Sequence, residues 1–168
     1  MSRLDSFIRR LEAQRTCLNY AVRLVHDLEG DVLELGLGNG RTYDHLRELL
    51  PDRRIHVCER RVAAHPDCVP PVELLLLGDM RHTLRAARSW LSDRVALAHL
   101  DHATGEVAAS KALADELAPL IVPLLRLDGV LVSEPRLNVD GLIPLSLPKG
   151  VQLKRYNLYR RVSFRSPP

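Results

Sequence analysis

Apolar residues along this chain change period several times, and the changes mark out its elements. Leu4, Phe7, Ile8, Leu11, Leu18, Val22, Val25 and Leu28 recur at helical steps, with an interruption around Gln14 and Arg15. That is the stripe of an amphipathic helix, and Gly30 ends it. Asp31 to Leu35 reads as a first strand. Arg41 to Leu50 reads as a helix, with Tyr43, Leu46, Leu49 and Leu50 on one face and Pro51 as the stop. In a second strand, Arg54 to Glu59, Ile55 and Val57 alternate with His56 and Cys58. Pro66, Pro70 and Pro71 then predict that the crossover helix there is short or absent. Glu73 to Leu77 is a third strand, Thr83 to Leu91 a helix and Val95 to Leu100 a fourth strand. Glu106 to Leu125 is helical but broken near Pro119 and Pro123, and Gly129 to Ser133 is the fifth strand. Beyond it, Leu142 to Leu147, Val151 to Tyr156 and Leu158 to Phe164 read as extended segments with a turn near Asn157.

Short apolar strands alternating with helices predict an α/β fold, a mostly parallel sheet with helices on both faces, hence three layers. The closing segments predict an antiparallel hairpin at one edge. The chain divides into an N-terminal helical cover (1–29), a core (30–134) and terminal strands (135–168), all in one domain.

Composition agrees and narrows the setting. With 168 residues, 46% hydrophobic and 27% charged, the chain is the size and kind of one globular domain. The stretch Val72 to Leu77, apolar but for Glu73, is far too short to span a bilayer. Asp5 and Glu12 among the first arginines leave no apolar stretch of the signal-peptide kind. Cys17, Cys58 and Cys68 are odd in number, lack metal-ligand spacing, and read as reduced thiols of a cytoplasmic protein. A pI near 9.0 suggests nucleic acid, but the net charge is only +3. The excess lies in Gly141 to Pro168, with six basic residues and no acidic ones. A solvated hairpin accounts for it, so nucleic acid is disfavoured as a partner.

The candidate chemistry begins at LELGLGNGRT, Leu33 to Thr42. Gly36, Gly38 and Gly40 sit between a strand and a helix, where a ligand can lie over bare backbone N–H groups at a helix N-terminus. In a parallel sheet the ligand lies across the carboxyl ends of the strands. There an acid closes each of the first four strands: Glu34, Glu59, Asp79 and Asp101. Glu59 lies 19 residues after Gly40, where a carboxylate can accept ribose hydroxyls. Asp79 can accept from an adenine amino group. Glu34 discriminates between ligands, because a carboxylate at the glycine turn repels a pyrophosphate and favours a cation. The third glycine also comes one residue early for a dinucleotide fingerprint. S-adenosyl-L-methionine, with its amino group and sulfonium, suits this pattern.

On these residues the chain resembles the class I S-adenosylmethionine-dependent methyltransferases. ELGLGNG, Glu34 to Gly40, is similar to their E/D-x-G-x-G-x-G motif, and the likeness extends over about Asp31 to Ser133. Glu59 falls at the family's ribose-binding acid, and Gly78, Asp79 and Met80 at its adenine side. The resemblance implies a Rossmann-like sandwich with a seven-stranded sheet whose last strand is antiparallel. It implies S-adenosyl-L-methionine as cofactor, held by Glu34, Gly36, Leu37, Gly38, Asn39, Gly40, Arg41, Thr42, Glu59, Gly78, Asp79, Met80 and Asp101.

The acceptor side has fewer signals. AHLDHATG, Ala98 to Gly105, stands where adenine or cytosine amino-methyltransferases carry D/N-P-P-Y, and no Pro-Cys pair marks a cytosine-carbon enzyme. A small molecule or a protein, methylated on oxygen or nitrogen, is the expected acceptor. His99, Asp101 and His102 are the catalytic candidates, with His99 and Asp101 on one side of their strand. Asp101 has no companion residues in a metal-ligand pattern, so no metal is expected. Tyr20 and His26 on the leading helix could line the pocket or pack inside, and Arg41 and Tyr43 could close over the cofactor's tail. The alternative to an enzyme is a methyltransferase-like module that binds cofactor without chemistry, or a partner subunit. The reading leaves a homo-oligomer open.

Overall fold

Strand by strand, the apolar segments assemble into one sheet. The computed structural model describes residues 2–101, 106–152 and 156–163. Its elements are α1 (Arg3–Leu24), β1 (Asp31–Leu35), α2 (Arg41–Leu49), β2 (Ile55–Glu59), β3 (Leu75–Leu77), α3 (Met80–Leu91), β4 (Val95–Leu100), α4 (Val107–Ile121), β5 (Leu125–Ser133), β6 (Leu142–Leu145) and β7 (Asn157–Arg161). The sheet order is β3-β2-β1-β4-β5-β7-β6. The first five strands are mutually parallel, and β7 inserts antiparallel between β5 and β6. The order reverses between β1 and β4, which opens a crevice beyond their carboxyl ends.

Alternation along β1 divides the interior in two. Leu33 and Leu35 pack with Leu84, Ala87 and Leu91 of α3 and with Leu117, Ala118 and Ile121 of α4. Val32 packs on the other face with Cys17, Leu18 and Ala21 of α1 and with Tyr43 and Leu46 of α2. Each fully buried Leu or Val stabilises the fold by about 1.5–3 kcal/mol relative to exposure, so these two cores fix which face each strand residue takes. Among the described residues no helix is long and apolar enough to cross a membrane.

Several boundaries differ from the pattern-based expectation. Helix α1 is continuous through Gln14 and Arg15, opened by a reciprocal cap in which Ser2 and Asp5 serve each other's backbone N–H. Helix α4 is not broken at Pro119, which stands inside its last turn. A helix-interior proline costs about 3 kcal/mol, and the buried Leu117 and Ile121 on either side offset it. Strand β5 begins at Leu125 rather than Gly129, because Asp128 takes a left-handed φ of 65° and the strand continues across a register irregularity. The stretch between β2 and β3 holds only two short 3-10 turns, Pro66–Cys68 and Val72–Leu74, so the crossover helix is absent as the prolines predict. At the C-terminal side, Val151, Gln152 and Tyr156 are not in a strand. Asn157 is not a turn residue but the start of β7, where its amide donates to the carbonyls of Ser133 and Glu134.

Candidate active site

The carboxyl ends of β1, β4 and β5 converge on polar residues that the strands' alternation turns to the α1 face. Glu34 of β1 pairs in register with His99 of β4, and both are fully buried. A buried carboxylate is tolerated only when its lone pairs are met. Thr42 Oγ1 donates to Glu34 Oε1 at 2.5 Å, and His99 Nδ1 lies 2.9 Å from Oε2. Because a carboxylate only accepts, His99 Nδ1 carries the proton. The opposite ring atom, His99 Nε2, is buried without a hydrogen-bond partner among the described residues. Burial opposes charge on this imidazole, but Glu34, with Asp101 and Glu134 further off, holds His99 above its ordinary value of 6.5.

Tyr156 stacks on His99 with ring centroids 6.4 Å apart and 22° between planes. Its hydroxyl is also buried and has no hydrogen-bond partner among the described residues. Burial pushes the phenol strongly upward, and the charges of Asp101 and Glu134 add to this. Asp101 stands just past β4, its amide donating to the carbonyl of Leu35 at 3.1 Å. Gln14 Nε2 of α1 donates to Asp101 Oδ2 at 2.5 Å. The guanidinium of Arg10, one turn earlier on α1, lies 3.7 Å from Asp101 and 3.6 Å from Glu134. So α1 is moored to the ends of β4 and β5 by polar contacts.

The glycine loop runs between β1 and α2. Gly36, Gly38 and Gly40 all take left-handed φ values, 102°, 50° and 85°. Gly36 N–H donates to the Cys58 carbonyl, and Gly40 N–H to that of Leu37, which closes the turn. Gly40 is the N-cap of α2 and brings no side chain to the cap. A Cβ at Gly40 would stand 2.4 Å from Cys68 Cβ, whereas one at Gly38 would meet nothing within 4 Å among the described residues. The loop is therefore closed behind and open in front.

Glu59, at the end of β2, faces this loop. Its Oε2 accepts the N–H groups of Leu37 and Gly38 at 2.8 and 3.2 Å, and its Oε1 those of Arg60 and Arg61 at 2.6 and 3.1 Å. Burial would raise its carboxyl, but the four backbone donors outweigh that and hold it below the usual range. Gly78 N–H donates to the carbonyl of Glu59, which brings the start of α3 beside it. Asp79 caps α3, its carboxylate accepting from Arg81 N–H at 2.9 Å and facing the Arg81 guanidinium at 3.1 Å. Met80 opens α3 and packs against the core.

Most of the residues singled out from the sequence thus surround one crevice: Glu34, the loop to Thr42, Glu59, His99 and Asp101. Asn39 and Arg41 are exposed at the loop. His102 lies outside the described residues. Tyr43 does not close over the loop but is buried in the core, with Arg47 over its ring. His26 is exposed and paired with Asp27 at the opposite end of β1, so it does not line the crevice. Tyr20 is half-buried with Arg23 over its ring. Arg10, Gln14, Glu134 and Tyr156 belong to the site and were not singled out. The break in the apolar stripe at Gln14 was the available signal for one of them.

The crevice suits S-adenosyl-L-methionine: open space before Gly38, backbone N–H groups at the start of α2, an acid at the loop and a buried acid beneath it. The model of a family described as S-adenosyl-L-methionine methyltransferase matches residues 1–161. A solved S-adenosyl-L-methionine methyl transferase from Silicibacter pomeroyi DSS-3 is 44% identical, with a TM-score of 0.92 over 96% of this chain and 99% of that one. A putative caffeoyl-CoA O-methyltransferase from Staphylococcus aureus, 10% identical, has a TM-score of 0.59 over 97% of this chain and 93% of that one. TrmN from Thermus thermophilus, 15% identical, has a TM-score of 0.53 over 86% of this chain and 48% of that one. The last two share the fold alone. No curated protein matched the chain.

Proposed function

The chain belongs to the S-adenosyl-L-methionine methyltransferase family, and on that premise we propose that it methylates an oxygen or nitrogen of a small-molecule or protein acceptor in the cytoplasm. The observation that carries the catalytic part is the Glu34–His99 pair, which leaves a buried Nε2 with no partner among the described residues, two residues before Asp101.

S-adenosyl-L-methionine supplies, when bound, an electrophilic methyl group on a positively charged sulfur. The residues that would hold it are Glu34 to Thr42, Glu59, Gly78, Asp79, Met80 and Asp101. The N–H groups of Leu37 and Gly38 donate to Glu59, which ties the loop to the end of β2. Glu59 would accept the ribose hydroxyls, giving up part of its hold on those amides. Asp79 and Met80 lie beside Glu59 at the adenine side. Glu34 provides negative charge beneath the loop, which favours a cationic ligand over a pyrophosphate. Asp101, held by Gln14 and Arg10, orients the acceptor, and His99 or His102 receives its proton.

Labelled S-adenosyl-L-methionine, incubated with hydroxylated and amine metabolites, should transfer label to one class of acceptor. Asp101→Asn should lose roughly 10²–10⁴-fold in turnover, a far larger loss than any it shows in S-adenosylhomocysteine affinity. Strong cofactor binding with no acceptor labelled would contradict the catalytic part.

A further inference from the structure

Resting on that reading, we infer that Glu34 serves two cations in turn, the sulfonium before methyl transfer and the His99 imidazolium after it, with His99 Nε2 taking the acceptor's proton. The register places Glu34 opposite His99, and both side chains are buried. Glu34 spends one oxygen on Thr42 and the other on His99 Nδ1. Neutral His99 is thereby fixed with its proton at Nδ1 and its lone pair at Nε2, the buried atom without a partner among the described residues. The carboxylate then keeps its full charge for a cation on the ligand side. Once Nε2 is protonated, the same charge is matched within the protein.

The step balances. The acceptor's oxygen or nitrogen bonds the methyl carbon as that carbon's bond to sulfur breaks and the pair stays on sulfur. The acceptor's proton goes to Nε2. One positive charge leaves the ligand and one appears on His99, so the crevice's total charge is unchanged and Glu34 is never left unmatched. His99 is the catalytic base and Glu34 its positioning residue. Among the described residues, the charged and titratable groups around His99 are Glu34 from β1, Asp101 just past its own strand, Glu134 past β5, Tyr156 before β7 and Arg10 from α1. Arg10 is committed to Asp101 and Glu134, so it does not stand in for the imidazolium at Glu34.

The consequence is a pH dependence that separates two nearly identical ligands. Protonating His99 in advance cancels Glu34, which should matter for the sulfonium of S-adenosyl-L-methionine and not for the neutral sulfur of S-adenosylhomocysteine. Calorimetric titration of each with the whole protein, from about pH 8.5 to about pH 5.5, spans the histidine range. S-adenosyl-L-methionine should weaken by about 3–10-fold towards acid and S-adenosylhomocysteine by less than about 2-fold. His99→Asn should remove the difference. If that variant does not fold, nitrogen shifts of the His99 ring in the unaltered protein give the answer directly: the neutral form must carry its proton at Nδ1. Affinities that move together with pH, or a neutral His99 protonated at Nε2, would overturn the inference alone. Binding of neither ligand at any pH would overturn the methyltransferase reading and the inference with it.

Discussion

Gly38 and Gly40 stand two residues apart in one loop and are glycine for different reasons. At Gly40 the backbone is left-handed and Cys68 fills the space where a side chain would go. At Gly38 the backbone is also left-handed but the space is open, so the structure alone gives little reason for the missing side chain beyond roughly 1–2 kcal/mol of backbone preference. A ligand gives one. Gly40→Ala should therefore lower the melting temperature much more than Gly38→Ala. Gly38→Ala should stay folded and lose at least about tenfold, or roughly 1.4 kcal/mol, in S-adenosylhomocysteine affinity. Thermal melts and calorimetry on the two variants check both halves. At this scale the site was legible where chemistry is spelled locally, as in the glycines with Glu34 and Glu59. It was illegible where a partner is distant in sequence. Tyr156 meets His99 only because β7 returns beside β5, and no local spacing announces that.

Among the elements, α1 departs furthest from its sequence pattern, and the departure is informative. Gln14 interrupts an apolar stripe, yet the helix runs through it unbroken because its amide is spent on Asp101. A polar residue on a buried helix face, 5% exposed, is a contact to the site rather than a break. The bond to Asp101 is charge-assisted, a class worth about 1.5–3 kcal/mol, whereas the longer ion pairs of half-exposed Arg10 are worth less. Gln14→Ala should thus loosen α1 more than Arg10→Ala does. Hydrogen exchange at the amides around Arg10 and Gln14 should quicken in the first variant, with the sheet's protection unchanged. Equal protection in both variants and the parent would mean that apolar packing by Cys17, Leu18 and Ala21 holds the helix alone. The same reasoning explains α4, where Pro119 reads as a stop but buried neighbours on both sides carry the helix past it.

For the whole molecule, the alternation of short apolar strands with helices was enough to read a parallel sheet covered on both faces. Each strand's two cores leave a direct trace in composition, as in the uninterrupted burial of β4. The terminal region was read less well. Strand β6 is the edge and β7 lies just inside it, and both are short, so their hydrophobic signal is weak and Asn157 passed for a turn. What the assembled fold adds is the meeting of β1, β2 and β4 ends at one crevice. On the function proposed above, S-adenosyl-L-methionine lies there, on the glycine loop. Mapping backbone amide shifts while S-adenosylhomocysteine is titrated into the protein tests it most directly. The largest changes should fall on Leu37 to Gly40, Glu59 to Arg61, Asp79, Met80 and Asp101. Changes gathered instead at the opposite end of the sheet, around His26, Asp52 and Arg53, would contradict the account.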